Sequence, residues 1–212
     1  QVFHFQIEFP EVFWRENPGF DVIMGNPPWE EATIEEVSFW TRYVPGLKGL
    51  DTHERETVCG RLRINRPDLV ALFEFEQHQI EQIRASLTSG AFPGMDTGDP
   101  DLYKAFCWRF IHLLRNNGRM GVVLPRSAFS AKGSTKFRHK LYRSAKIADL
   151  TFAKNSRGWV FDEVTPQQKV VFASLNKSKP DDAAVIPIRG PFTSFSAYQK
   201  GMLADAISIP VS

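Results

Sequence analysis

Short apolar runs alternate with helical patterns along most of this chain, and that alternation restricts the fold more strongly than any other feature. Runs of this length, bounded by glycine, proline or asparagine, are typical of β-strands. Strands that alternate with helices predict an α/β sheet with crossover helices. The predicted strands are 3–9, 20–24, 120–124, 147–153 and 169–175, and the predicted helices are 67–87, 102–114 and 135–143.

Particular residues mark the ends of these elements. Phenylalanine and isoleucine alternate with polar residues from Phe3 to Phe9, which predicts a half-buried strand that Pro10 ends. The run 20–24 is apolar enough for a strand inside the sheet. Pro67 is well placed to open a helix, and Asn116-Asn117-Gly118 resembles the C-cap of helix 102–114.

Bulk features exclude several classes of protein. No apolar run approaches the roughly 20 residues that span a bilayer, and the N-terminus lacks the pattern of a signal peptide. Cys59 and Cys107 lie far apart without metal-ligand spacing, so we interpret them as free thiols of a cytoplasmic protein. We therefore expect neither a disulfide scaffold, nor a metal site, nor membrane association.

Charge is distributed unevenly, although the net charge is only +2. From Leu102 to Ala148 the chain contains no Asp or Glu but many basic residues, whereas the N-terminal stretch is acidic. A long segment of one sign is expected of a surface that meets a polyanion, although a solvated basic face is the simpler alternative. The predicted phosphate contacts are Lys132, Lys136, Arg138, Lys140 and Arg143.

The stretch GFDVIMGNPPWEE, from Gly19 to Glu31, carries the most chemistry. Two prolines stiffen the loop after the strand, so the Asn26 side chain and the Pro27 carbonyl form two acceptors in fixed geometry. Such a pair matches an amino group with two hydrogens, which it prepares for attack on an electrophile without an ionised base. Trp29 then offers a face for a planar base, although a core tryptophan in a rigid turn is the alternative.

GFDVIMGNPPW resembles the catalytic motif of amino-methyltransferases that use S-adenosylmethionine, and its Asn-Pro-Pro-aromatic form resembles the γ-type N6-adenine DNA methyltransferases. DLYKAF (101–106) and GRMGVVLPRSAF (118–129) are similar to the next two family motifs in order and spacing. RGWVFDEVTPQQKVVFASL (157–175) resembles the segment that supplies an aromatic lid. The likeness runs from about residue 1 to 177, and it is strongest to the large methylases of bacterial type IIG restriction-modification and related phage-defence systems.

The resemblance implies a role for each matching residue. Asn26 and Pro27 would hold the target amine, and Trp29 would stack on an adenine flipped out of double-stranded DNA. Phe161 would contact the other side of that base, although Trp159 competes for this position. Pro28 and Phe106 would lie beside the S-adenosylmethionine cofactor, unless Phe106 is a core residue.

The resemblance also implies a fold and a division of the chain. The fold is a Rossmann-like methyltransferase sheet with a helical insertion, which is partial because the first strands and their glycine-containing cofactor loop have no counterpart before Gly19. We expect a fragment that alone neither binds cofactor tightly nor methylates, and whose partners are the N-terminal half of the catalytic domain and a target-recognition domain. The expected units are the first core part (1–29), the insertion (30–100), the second core part (101–177) and a linker (178–212).

Two other functions are compatible with the sequence. One is an NPP-type methyltransferase that acts on a guanine of RNA or on a glutamine side chain of a protein. The other is a DNA-binding or scaffold remnant without activity. The acid-free basic segment speaks against the glutamine substrate, and the family-like insertion speaks against both methyltransferase alternatives.

Overall fold

The computed structural model describes residues 3–96, 100–162, 167–181 and 183–211. Within this part of the chain, six strands form one mixed sheet in the order β1-β2-β4-β3-β5-β6. Two pairs of neighbours, β1 with β2 and β3 with β5, are parallel, and the other three pairs are antiparallel. The strands are β1 (Phe20–Gly25), β2 (Leu114–Pro125), β3 (Lys146–Lys154), β4 (Lys169–Asn176), β5 (Val185–Phe192) and β6 (Ile207–Pro210).

Helices precede, interrupt and cover this sheet. Helices α6 and α8 pack on one of its faces, and α9 lies near the other, where the Met202 sulfur is 3.9 Å from the Thr151 hydroxyl. The helices are α1 (Phe5–Glu8), α2 (Pro10–Phe13), α3 (Glu36–Thr41), α4 (Thr52–Asn65), α5 (Pro67–Thr88), α6 (Leu102–Leu113), α7 (Ser127–Ser130), α8 (Thr135–Ser144) and α9 (Phe195–Met202). Along the described residues, no helix combines the length and apolar character needed to cross a bilayer.

The main core lies between the sheet and helices α6 and α8. Alternate residues of β2 (Met120, Val122 and Leu124) are buried, whereas Gly121 and Val123 are half-buried on the opposite face. Trp108 of α6 and Phe137 of α8 pack into the same cluster, with their rings edge-on at 6.1 Å. Each fully buried side chain of this size contributes about 1.5–3 kcal/mol, so this layer fixes the sheet on which the site is built. The α/β fold class is thus confirmed.

Between β1 and α6, the described residues 30–96 contain α3, α4 and α5 and form a helical excursion with a small core of its own. Phe39, Trp40, Leu47, Cys59 and Leu69 are buried together there, apart from the main cluster. The ends of this excursion meet. Glu31 and Asp101 form an isolated antiparallel bridge, and the Leu102 amide donates to the Glu30 carbonyl at 2.9 Å. The chain therefore leaves the sheet after β1 and returns at α6 through one closed neck.

The predicted strand at residues 3–9 is wrong, because α1 and α2 occupy this region. Phe5 and Phe9 are four residues apart, and their rings lie 6.5 Å from each other. Phe9 and Phe13 then meet Phe20 edge-on at 5.6 and 5.3 Å. The spacing 5, 9, 13 is helical, so the alternating phenylalanines fit a helix as well as a strand.

Two further expectations about the strands need correction. Helix α6 ends at Leu113 and leads directly into β2, so Asn116-Asn117-Gly118 is not its C-cap. Asn117 instead adopts a left-handed φ of 61° inside an irregular start of β2, a conformation that asparagine tolerates. Strand β1 exists as predicted, but within the described residues it lies at an edge of the sheet, with Met24 81% exposed.

The expected linker from residue 178 onward is also wrong, because it contains β5, α9 and β6. Ile188 of β5 pairs with Leu150 of β3, and Ile186 is buried in the main core. Gly190, at a φ of 84°, approaches the Phe152 carbonyl so closely that a Cβ there would clash at 2.2 Å. The glycine content of this segment suggests a linker, but Gly190 is needed because β5 approaches β3 closely at this position. The remaining domain boundaries stay predictions.

Candidate active site

The Asn-Pro-Pro-Trp loop directly follows β1. Pro27 is buried, whereas Asn26 and Pro28 are exposed. The Trp29 indole Nε1 donates to the Val123 carbonyl at 3.3 Å, and its ring packs against the main core. Trp29 is therefore anchored to β2 at one edge while it remains half-exposed, so the packed and the base-facing interpretations of this residue are compatible.

The loop forms one wall of a cavity of about 440 Å³ at the carboxyl end of β1. Phe161, distant in sequence, forms another part of the wall, so the structure brings together all four loop residues and the predicted lid residue. Two polar side chains that the sequence did not indicate, Glu30 and Gln168, also face it. The lining residues are Asn26, Pro27, Pro28, Trp29, Glu30, Phe161 and Gln168.

Two hydrogen-bond acceptors of the loop remain available. Among the residues that the structure describes, no hydrogen bond engages the Asn26 side chain or the Pro27 carbonyl. Pro28 carries no N–H that could compete beside them. The loop thus presents two unengaged acceptors next to an aromatic ring, and their binding of an amine stays a prediction.

Phe161 is held in place by Asn155, a fully buried residue that directly follows β3. Asn155 Oδ1 accepts hydrogen bonds from the amides of Val160 (3.0 Å) and Phe161 (3.1 Å), and its Nδ2 donates to the Phe161 carbonyl (2.9 Å). The Asn155 amide also donates to the Gln168 carbonyl at 2.8 Å. One buried residue therefore positions two lining residues, and its only signal in the sequence is an asparagine after a strand.

Trp159 and Phe161, which compete for the lid position, occupy different surroundings. The Trp159 Nε1 donates to the Lys154 carbonyl at 2.7 Å, and its ring lies 6.1 Å from the Tyr198 ring of α9. Trp159 does not line the cavity, whereas Phe161 does. This difference favours Phe161 over Trp159. Residues 163–166 of the lid segment, like 97–99 of the earlier loop, lie outside the described residues.

Phe106 lies on α6 and does not line the cavity. It is 39% exposed, so it is not a core residue, and it meets Phe110 edge-on at 6.0 Å. The Phe110 ring lies 3.3 Å from the position of a Cβ on Gly25, and the start of α6 bridges to Glu31. Phe106 lies between these two contacts along α6, and contact of Phe106 and Pro28 with a cofactor stays a prediction.

The rest of the DLYKAF motif is structural. Lys104 is 3% exposed, and its Nζ lies 2.6 Å from Asp101 Oδ2. The Tyr103 hydroxyl lies 3.3 Å from Ser134 Oγ, and burial raises the pKa of this phenol well above its usual range. These contacts fix the start of α6 at the neck of the excursion. Among the described residues, no cluster of His, Cys, Asp or Glu could hold a metal ion.

The five predicted phosphate contacts of the basic segment do not line the cavity, and their surroundings differ. Arg138 donates to the carbonyls of Ala128 (3.3 Å) and Ala131 (2.7 Å), so it has a structural role. Lys136 forms an ion pair with Asp96 at 2.9 Å. Lys132, Lys140 and Arg143 are exposed, so phosphate binding stays a prediction for them.

A family model supports part of the resemblance. Residues 75–159 match the model of the Eco57I restriction-modification methylase, which includes the DLYKAF and GRMGVVLPRSAF motifs. The matched region ends before Phe161 and does not include the Asn-Pro-Pro-Trp loop. No curated protein matches the chain significantly.

Several solved structures are similar to this chain. A nuclease-deletion mutant of the Type ISP enzyme LlaGI, in complex with a DNA substrate mimic, matches 92% of the chain with a TM-score of 0.50 and 12% identity. The DrdV–DNA complex matches 92% of the chain with a TM-score of 0.48 and 12% identity. A modification subunit of a putative type I restriction enzyme from Vibrio vulnificus YJ016 matches 90% of the chain with a TM-score of 0.46 and 13% identity. The chain spans 17%, 17% and 33% of the length of these proteins. At 12% identity, the likeness to the LlaGI enzyme shows a common fold alone.

Proposed function

We propose that this chain forms part of the catalytic domain of a DNA methyltransferase that modifies the N6 amine of adenine in a bacterial restriction-modification or phage-defence system. The observation that carries the proposal is the cavity in which Asn26, Pro27 and Trp29 lie together with Phe161. The Eco57I methylase match over residues 75–159 supports the same class of enzyme.

The two free acceptors bind and orient the amine. Asn26 Oδ1 and the Pro27 carbonyl each accept one hydrogen of the N6 amine, which draws its lone pair out of conjugation with the ring. The lone pair then points at the methyl donor, so positioning and electrostatics replace an ionised base. The buried, rigid Pro27 keeps these two acceptors in register.

Trp29 and Phe161 hold the base between them. A paired adenine cannot reach a cavity at a sheet edge, so the base must leave the duplex. Stacking on an aromatic ring contributes about 1–3 kcal/mol per base, which offsets part of the cost of flipping. The anchor from Trp29 to Val123 and the clamp from Asn155 to Phe161 fix the two rings before the base arrives.

S-adenosylmethionine would supply the transferable methyl group. Pro28 and Phe106 are the residues of this chain that would contact it, because the resemblance implies this role for both and both are exposed and apolar. Their contribution is to exclude water from one side of the reacting amine and to provide an aromatic face for the adenine ring of the cofactor.

The test uses the native protein in which this sequence occurs. We would incubate it with isotope-labelled S-adenosylmethionine and mixed DNA, digest the DNA, and identify the labelled nucleoside. Label in N6-methyladenine that is lost in Asn26→Ala but kept in Asn65→Ala, an exposed asparagine of α4, supports the proposal. Absence of label in DNA, with a folded protein that binds the cofactor, would favour the other NPP-type substrates. Absence of cofactor binding by the folded protein would favour a non-catalytic remnant.

A further inference from the structure

Three basic residues lie together at one end of three neighbouring strands. Arg126 follows β2, Lys154 ends β3 and Lys169 begins β4. Lys154 and Lys169 are direct partners in the antiparallel β3–β4 ladder, and the Arg126 amide donates to the Lys169 carbonyl at 3.0 Å. Three positive charges are therefore concentrated at adjacent positions where these three strands begin or end.

This cluster lacks neutralising partners within the described residues. None of the three side chains forms an ion pair there, and no Asp or Glu lines the cavity that they share. Like charges directly opposite each other in a ladder are destabilising. A cluster that weakens the fold while it faces an open groove indicates a surface for an anion.

The groove has an apolar floor and polar walls. Its cavity of about 360 Å³ is lined by all three basic residues. Phe129 and Phe152, whose rings meet edge-on at 6.5 Å, form the floor, and the exposed Ser130 lies at the rim. The lining combines cationic donors with aromatic surface, which suits a sugar–phosphate chain better than a small inorganic anion.

The groove continues into the candidate active site. A second cavity of about 480 Å³ shares Arg126, Ser130 and Lys169 with it. That cavity also shares Gln168 with the cavity of the Asn-Pro-Pro-Trp loop. A chain that leaves the base-holding cavity past Gln168 therefore meets the three basic residues next.

We propose that this groove binds the backbone phosphates of the DNA strand that carries the target base, immediately beside the flipped nucleotide. The inference rests on the proposed function and assigns the strand to Arg126, Lys154 and Lys169 rather than to helix α8. The α8 residues are less suited, because Arg138 holds backbone carbonyls and Lys136 pairs with Asp96. Phosphate contacts position the strand without reading its sequence.

The test measures the affinity of the native protein in which this sequence occurs for a fluorescent DNA duplex, by anisotropy between 50 and 200 mM salt. The variants are Lys154→Ala, Lys169→Ala and Arg126→Ala, with Lys140→Ala of α8 as the competing surface. Lys48→Ala is the matched control, because Lys48 is exposed in the excursion, away from the groove. Each lost phosphate contact reduces the magnitude of the slope of log affinity against log salt by about 0.9. Between 50 and 200 mM salt, a variant that lacks one contact should therefore lose roughly 3.5-fold less affinity than wild type does.

We expect each groove variant to lose about one contact while Lys48→Ala and Lys140→Ala retain the wild-type slope. A reduced slope for Lys140→Ala with unchanged groove variants would overturn the assignment but leave a DNA methyltransferase intact. Wild-type binding without salt dependence would also overturn it. The methylation assay with Asn26→Ala reports on the proposed function separately. Thermal melting checks folding, and Lys154→Ala should melt no lower than wild type because it relieves like-charge repulsion.

Discussion

Asn155 grips the backbone of Phe161 from both sides, because its Oδ1 accepts from the Phe161 amide at 3.1 Å and its Nδ2 donates to the Phe161 carbonyl at 2.9 Å. Asn155 is fully buried, whereas Phe161 is half-exposed in the cavity wall. The position of the lid ring therefore depends on a side chain that does not line the cavity.

Replacing Asn155 should disturb the lid more than the sheet. Asn155→Ala leaves the amides of Val160 and Phe161 without their partner, and each unsatisfied buried group costs about 1–3 kcal/mol. We expect a lower thermal midpoint and weaker retention of a flipped base, measured by 2-aminopurine fluorescence in the DNA. Ser156→Ala, at the next position, is the control. Unchanged base retention in a folded Asn155→Ala protein would contradict the positioning role.

Two substitutions of Trp29 should distinguish its hydrogen bond to Val123 from its stacking on a base. Trp29→Phe keeps an aromatic face but removes the hydrogen bond to Val123, so we expect a loss of about 0.5–1.5 kcal/mol in unfolding free energy with most DNA affinity kept. Trp29→Ala also removes the face, which should weaken binding of an extrahelical base by about 1–3 kcal/mol. The measurement is a titration with duplexes that contain an unpaired adenine. Equal affinities for the two variants would show that the ring does not stack on the base.

A substitution in the small core of the excursion should destabilise the excursion without destabilising the main sheet. Phe39 is fully buried and packs against Trp40 (5.2 Å) and Phe73 (5.1 Å). Phe39→Ala should cost about 3–5 kcal/mol locally. Because this cluster is separate from the main core, hydrogen exchange should accelerate across 36–73 but not across β2 and β4. Equal acceleration in both regions would indicate one cooperative unit.

Local patterns account for the elements that the sequence predicts correctly. Short apolar runs predict β2, β3 and β4, and a proline at a helix start predicts α5, because these local patterns favour one conformation without help from distant contacts. The strand β5 was missed because Gly190 serves a close approach to Phe152, which only the tertiary structure shows. At the site, the Asn-Pro-Pro-Trp motif indicates which loop residues line the cavity. The hydrogen bonds from Asn155 to Phe161 could not be predicted, because they depend on a turn in which Arg157 adopts a φ of 58°. Hydrogen bonds that a buried amide side chain makes within such a turn leave no periodic signal in the sequence.

Acid should weaken the excursion through Glu36. Burial alone would raise its pKa, but hydrogen bonds from Trp40 (3.0 Å) and Arg63 (2.8 Å) outweigh burial and hold the pKa below 4.5. Because the folded-state pKa lies below the unfolded one, this carboxylate stabilises the fold above about pH 4.5. That stabilisation is lost as the pH falls through the lowered pKa. Glu36→Gln should therefore lower the thermal midpoint at pH 7 and reduce its dependence on pH below 4.5. Melting curves of both proteins from pH 7 to pH 3 test this, and parallel curves over the whole range would exclude Glu36 as a source of acid sensitivity.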